Sequence, residues 1–311
     1  MYDKLLQELE IPANLRSRER LQRLIDVDEN QLTAAMVPVS VIPVITFGPC
    51  DDSYLIGPRK MPVYSDYSNF QPPSWCTRIM IGDVANECII WNKSFRSLDA
   101  EGFISRVRSF LGSDAKADRL LSLYNVDPQA NNDDNFWKME KFTTDGLYTA
   151  VNWSLIRACP SVYAYHFDVP SPFDNDWAGL AHHSLDNVYI WSLLRERLPP
   201  KHRKVSENMS RLWLDFASGK EPWERFDKQR RVMVFREDGS VMRSVEEDAT
   251  RGYEAWEQVE REGLLDDFHR VAGELCMHWE EITDLSKKPK AMVVGSMSEY
   301  GIIPKKKAEW V

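Results

Sequence analysis

The chain has 311 residues, 43% of them hydrophobic and 11 of them tryptophan. That is enough for a packed core and excludes a disordered or fibrous protein. With 39 Lys and Arg against 48 Asp and Glu the net charge is −9, which argues against nucleic acid or an anionic membrane surface as partner, and no apolar run approaches the ~20 residues of a membrane span.

Residues 2–36 read as two or three short helices, with Leu5, Leu6 and Leu9, then Leu21, Leu24 and Ile25, then Leu32 and Met36 at helical spacing. Ile11-Pro12 breaks the first, and Ser17 or Asp28 can open the next. The opening decapeptide lacks the basic and long apolar regions of a signal peptide. Residues 37–75, rich in Pro, Gly, Asp and Tyr, read as loop with extended pieces around Val41–Thr46. Arg78–Gly82 predicts a short apolar strand, and Glu87–Trp91 a helix or turn.

Leu98–Leu111 and Ala115–Tyr124 have amphipathic helical spacing. Asp133–Ala158 predicts a long helical region broken near Thr143–Gly146. Val162–Asp168 alternates and is rich in β-formers, so it predicts the second strand. His183–Arg197 predicts a helix stopped by Pro199-Pro200. Val205–Ser218 predicts another, with Gly219 after its end. Arg231–Phe235 and Val241–Val245 flank Asp238-Gly239 as a hairpin. Residues 246–283 return to helix, and 286–311 read as a loose tail.

Two strands at wide spacing among helices fit a parallel α/β sheet with helical crossovers. Such sheets are covered on both faces and need neighbouring strands. Two strands and a hairpin are too few, so the expected sheet is incomplete: a complete chain would leave a strand edge open, and a fragment would have its missing strands upstream. The five cysteines, Cys50, Cys76, Cys88, Cys159 and Cys276, are scattered and form no C-x-x-C. That argues against a disulfide scaffold or zinc site and mildly favours a reduced, cytoplasmic setting. Secretion stays open if upstream sequence carries a signal.

Two segments carry candidate chemistry. Glu87 follows the first strand, and His183 lies in the connection after the second. An imidazole can deprotonate a serine hydroxyl, and a carboxylate can fix its tautomer and stabilise its charged form. In α/β-hydrolases the order along the chain is Ser, acid, His, which places the serine before Glu87. No G-x-S-x-G occurs in the 311 residues. Ser296 and Ser298 lack the flanking glycines of a nucleophile elbow and follow the histidine, and Ser184 is too close to His183 in sequence for its ring to serve it. Taken singly, Glu87 also reads as a cap or solvated charge, and His183 as a helix-terminal residue bonded to backbone. Ile90 and Trp91 are candidate substrate-pocket residues and equally candidate core. Trp213, Phe216 and Trp256 read as core, and His166 as a packed strand residue. No metal-ligand cluster or nucleotide-binding motif is present.

At these residues the chain resembles the type-B carboxylesterase/lipase family, which includes the cholinesterases, and especially its fungal members. Gly82-Asp-Val-Ala-Asn-Glu87 resembles that family's G-x-x-x-[DN]-E-G, with Cys88 in place of the last Gly. Asp186, Tyr189 and Trp191 match the residues following the family's histidine and select His183, with His182 as runner-up because one extra residue separates His183 from Gly179. Phe47–Asp52, Tyr163–Asp168 and Trp213–Pro222 resemble three further family stretches. The resemblance runs from near residue 1 to about 283, so residues 1–285 are expected to be the C-terminal portion of a type-B domain. It implies an α/β-hydrolase fold lacking its N-terminal strands, its oxyanion loop and its elbow. It also implies hydrolysis of small-molecule esters with Glu87 as triad acid and His183 as base, and no metal or organic cofactor. Without the serine, the chain alone is expected to be inactive. The alternative is a non-catalytic, cholinesterase-like binding module.

Overall fold

A computed structural model describes residues 2–39, 63–91, 98–129, 132–159 and 161–277. Val41–Thr46, Phe47–Asp52, Ser296, Ser298 and the tail from 286 lie outside these residues. The chain divides into two compact units, Met1–Met61 and Pro62–Val311.

The first unit contains helices α1 (Tyr2–Glu8), α2 (Ser17–Ile25) and α3 (Glu29–Val39). Asp28 caps α3, its Oδ1 accepting from the Asn30 N–H at 3.0 Å. Leu6, Leu9, Ile11 and Ala35 form the small core.

Among the described residues the second unit is built on four strands in the order β1 (Ile79–Val84), β2 (Val162–Phe167), β3 (Arg231–Arg236) and β4 (Gly239–Ser244). β1, β2 and β3 are parallel, and β4 closes an antiparallel hairpin with β3. The expected hairpin thus supplies the third parallel strand. Its two-residue turn is Glu237-Asp238, with Gly239 opening β4 opposite Arg236. Among the described residues, the second long side of β1 has no strand partner.

Alternation along β2 covers both sheet faces. Val162 and Ala164 join a large core with Phe103, Phe142, Trp153 and Phe268. Tyr163 and Phe167 join a second core with Tyr189, Met209 and Phe235. Burial on both faces is what a central parallel strand requires. Trp256 is buried as expected, whereas Trp213 and Phe216 are only partly buried, against the second core.

The β1–β2 crossover carries α4 (Ala100–Leu111), α5 (Asp114–Tyr124), α6 (Asn132–Thr144) and α7 (Ala150–Ala158). Asp99 caps α4 by accepting from the Gly102 N–H at 2.7 Å. The break expected near Gly146 is a single π-helical turn, Asp145–Thr149, that joins α6 to α7 without interrupting the helical path. Only glycine fits at 146. A Cβ there would stand 2.7 Å from the Ala272 Cβ and 2.9 Å from the Phe268 ring.

Three expectations need correction. The helix expected over 183–197 is only α8 (Leu185–Ile190), because Ser192 and Leu194 adopt left-handed backbone (φ 51° and 53°) and turn the chain away. Pro200 does not merely stop that helix. It occupies the first turn of α9 (Pro200–Ala217), where a missing N–H costs nothing. The loop before β1 contains a 3-10 turn, Tyr64–Asn69, held where Asp266 accepts from the Tyr64 N–H at 2.6 Å. The short α10 (Phe226–Gln229) precedes β3, and α11 (Tyr253–Arg261) and α12 (Leu265–Met277) follow the hairpin.

Candidate active site

The carboxyl ends of β1 and β2 lie side by side, with Val84 paired to Phe167. The chain leaving β1 turns at Ala85 and enters a 3-10 helix, Glu87–Trp91. The chain leaving β2 loops through Asp168–Leu180 and returns at Ala181. There the Asn86 N–H donates to the Ala181 carbonyl at 2.8 Å, and Asn86 and His182 form an isolated parallel bridge. These contacts bring the two sequence-derived segments together.

His183 Nδ1 lies 2.6 Å from Glu87 Oε2. The second carboxylate oxygen of Glu87 accepts from the Val84 N–H at 3.0 Å, which fixes the rotation of the carboxyl. A carboxylate facing Nδ1 holds the ring hydrogen on that nitrogen and leaves the lone pair on Nε2. The His183 side chain is 31% exposed and that of Glu87 only 9%, so the carboxylate is buried and the imidazole reaches solvent. The hydrogen bond to Glu87 raises the imidazole above its ordinary value, against the opposing effect of burial. Burial raises the Glu87 carboxyl, against the hydrogen bonds from His183 and Val84.

His182, the runner-up, faces elsewhere. Its Nδ1 donates to the His183 carbonyl at 3.0 Å, and its ring packs 5.1 Å from Trp177. Burial lowers its imidazole below the ordinary value.

Two aromatic rings flank His183, Trp91 at 5.8 Å and Tyr148 at 5.4 Å between centroids. Tyr148 sits on the π turn, and sequence reasoning missed it because the break expected near Gly146 does not say which side chain the turn carries to His183. Trp91 and Ile90 are both partly buried against the larger core. Trp91 borders the histidine, whereas packing is what the structure gives for Ile90.

Three further devices hold the two loops. Gly82 pairs with Tyr165, and a Cβ at 82 would lie 2.3 Å from that ring. Glycine therefore lets the tyrosine lie across β1, where its hydroxyl donates to Asp186 Oδ2 at 3.2 Å in the first turn of α8. On the opposite sheet face, Asp83 and His166 are paired in register and join at 2.8 Å. His166 Nε2 meets the Tyr253 hydroxyl at 2.9 Å, and that hydroxyl donates to Asp248 at 3.0 Å. Arg251 bridges Asp83 and Asp168. Burial raises the Asp83 carboxyl, but the charges of His166 and Arg251 more than offset it and hold it below the usual range. His166 is thus more than a packed strand residue. The third device is Glu140 on α6, a buried carboxyl hydrogen-bonded to Asn86. An acidic residue four positions after Phe136 on an apolar helical face was the signal available for it. Among the described residues no group of His, Cys, Asp and Glu is arranged to hold a metal ion, and no helix is long and apolar enough to cross a membrane.

No protein-family profile matches the chain, and no curated protein does. Solved structures do match. A structure titled PNB esterase aligns with TM-score 0.52 at 16% identity, over 82% of this chain and 53% of that one. A thermophylic PNB esterase aligns with TM-score 0.51 at 17% identity, over 82% of this chain and 52% of that one. At these identities the likeness defines the fold, which is that of part of an α/β-hydrolase. The chain spans about half the length of the solved structures it matches.

Proposed function

We propose that Glu87 and His183 are the acid and base of a serine carboxylesterase of the type-B kind, whose nucleophile and oxyanion donors come from sequence outside these 311 residues. The observation that carries this reading is the 2.6 Å hydrogen bond between Glu87 and His183 Nδ1. It joins a buried carboxylate to a solvent-reaching imidazole at the carboxyl ends of adjacent parallel strands. In the proposed reaction a serine hydroxyl attacks the ester carbonyl while His183 Nε2 takes its proton. The same nitrogen then returns the proton to the departing alcohol. Glu87 orients the ring and stabilises its charged form. Small-molecule carboxylic esters are the substrate class, and the mechanism calls on no cofactor.

The 311-residue chain alone is expected to show no turnover of a p-nitrophenyl ester above that of His183→Ala, since nucleophile and oxyanion donors each contribute orders of magnitude. His183-dependent turnover in the purified chain would sink this expectation. The fuller test is mass spectrometry of the protein from its own source. A mass above 36.1 kDa, with upstream peptides containing G-x-S-x-G, supports the esterase. A mass near 36.1 kDa beginning at Met1 overturns it. The second reading is a non-catalytic binding module, favoured by the absence of any G-x-S-x-G in this sequence. The latter mass would select it.

A further inference from the structure

Glu140 is 2% exposed, and its carboxyl reaches the loop that carries Glu87 directly through one oxygen and through Thr144 of its own helix with the other. Oε2 accepts from the Asn86 carboxamide at 3.3 Å. Oε1 accepts from the Thr144 hydroxyl at 2.8 Å. The Thr144 oxygen in turn accepts from the Cys88 backbone N–H at 2.9 Å. The residue before Glu87 and the residue after it are therefore both tied to one buried carboxyl on α6. Asn86 does double service, because its own N–H holds Ala181 beside the histidine loop.

A carboxyl in an apolar interior is costly, and stability alone is usually served as well by an apolar side chain of similar size. Placement of a polar group is the gain that an apolar residue cannot supply. We propose that Glu140 is a positioning residue that, through Asn86 and Thr144, fixes the 3-10 turn carrying Glu87 and so sets the contact between Glu87 and His183. This deepens the reading of Glu87 and His183 as an acid–base pair and rests on it. Glu140 itself touches neither the imidazole nor any reacting atom. Its action is to keep Glu87 Oε2 in line with Nδ1, much as outer residues orient catalytic groups elsewhere.

The test is an NMR titration of the His183 ring in the full 311-residue chain, for the parent, Glu87→Gln, Glu140→Ala, Glu140→Gln and Thr144→Val. In the parent, His183 is expected to titrate above the ordinary 6.5, and Glu87→Gln to remove that upward shift. Glu140→Ala and Thr144→Val should each move the His183 titration down toward 6.5. Glu140→Gln, which keeps one acceptor oxygen, should stay nearer the parent. If both Glu140→Ala and Thr144→Val leave the titration at the parent value, while only the melting temperature falls, Glu140 is structural and the proposal is overturned. If Glu140→Ala fails to fold, Thr144→Val decides, since it exchanges only a hydroxyl for a methyl. A parent His183 that titrates at or below 6.5 and ignores Glu87→Gln would instead overturn the acid–base reading itself.

Discussion

Arg251 is a charged group placed where charge is expensive, since it bridges Asp83 and Asp168 at the ends of β1 and β2. Removing one partner of a buried ion pair strands the others, so Arg251→Leu is expected to cost roughly 3–5 kcal/mol, measurable by urea unfolding. A cost below about 1 kcal/mol would mean that water already screens the cluster. Glu140 makes a different prediction. Burial pushes its carboxyl up to about 7, against the hydrogen bonds from Thr144 and Asn86. Between the unfolded value, about 4.5, and about 7, the folded chain holds a proton that the unfolded chain has released. The stability from that group is thus complete below about pH 4.5 and is lost as pH rises through about 7. Glu140→Gln should flatten the fall in unfolding free energy across this window. An unchanged slope would show that the carboxyl is ionised throughout.

Elements are placed here by single residues that permit close approach. The π turn brings Gly146 against Ala272 and Phe268 of α12 and carries Tyr148 to the candidate histidine. Gly146→Ala should lower stability by about 1–3 kcal/mol through overpacking, with Tm as the readout, and a neutral substitution would mean that α12 yields freely. The sequence foretold the strands, the crossover helices and the hairpin because each is a local periodicity bounded by local breakers. It did not foretell the turn at Ser192–Leu194, because neither residue type marks left-handed backbone. The helix expected over 183–197 rested on apolar spacing alone, and that spacing continues through residues the chain does not wind.

At the scale of the molecule, the candidate site was legible only in part. Glu87 and His183 stood out because each follows a strand, in the order a hydrolase needs. The structure adds that they touch, and that His182 turns away. Most of the supports around them were not legible, since Asp83, Arg251 and Tyr165 meet their partners across tens of residues, where no single-helix or single-strand period reports a contact, and Glu140 showed only as an acidic residue on an apolar helical face. Glu87 and His183 themselves are 96 residues apart, separated by the crossover of α4 to α7. Closing a loop of that length comes before any of its contacts can reward it, and topologies dominated by such pairings fold slowly. The contact between Glu87 and His183 therefore depends on the pairing of β1 with β2, which closes nearly the same loop at Val84 and Phe167. A fluctuation that parts β1 from β2 would erase it while the local helices persist.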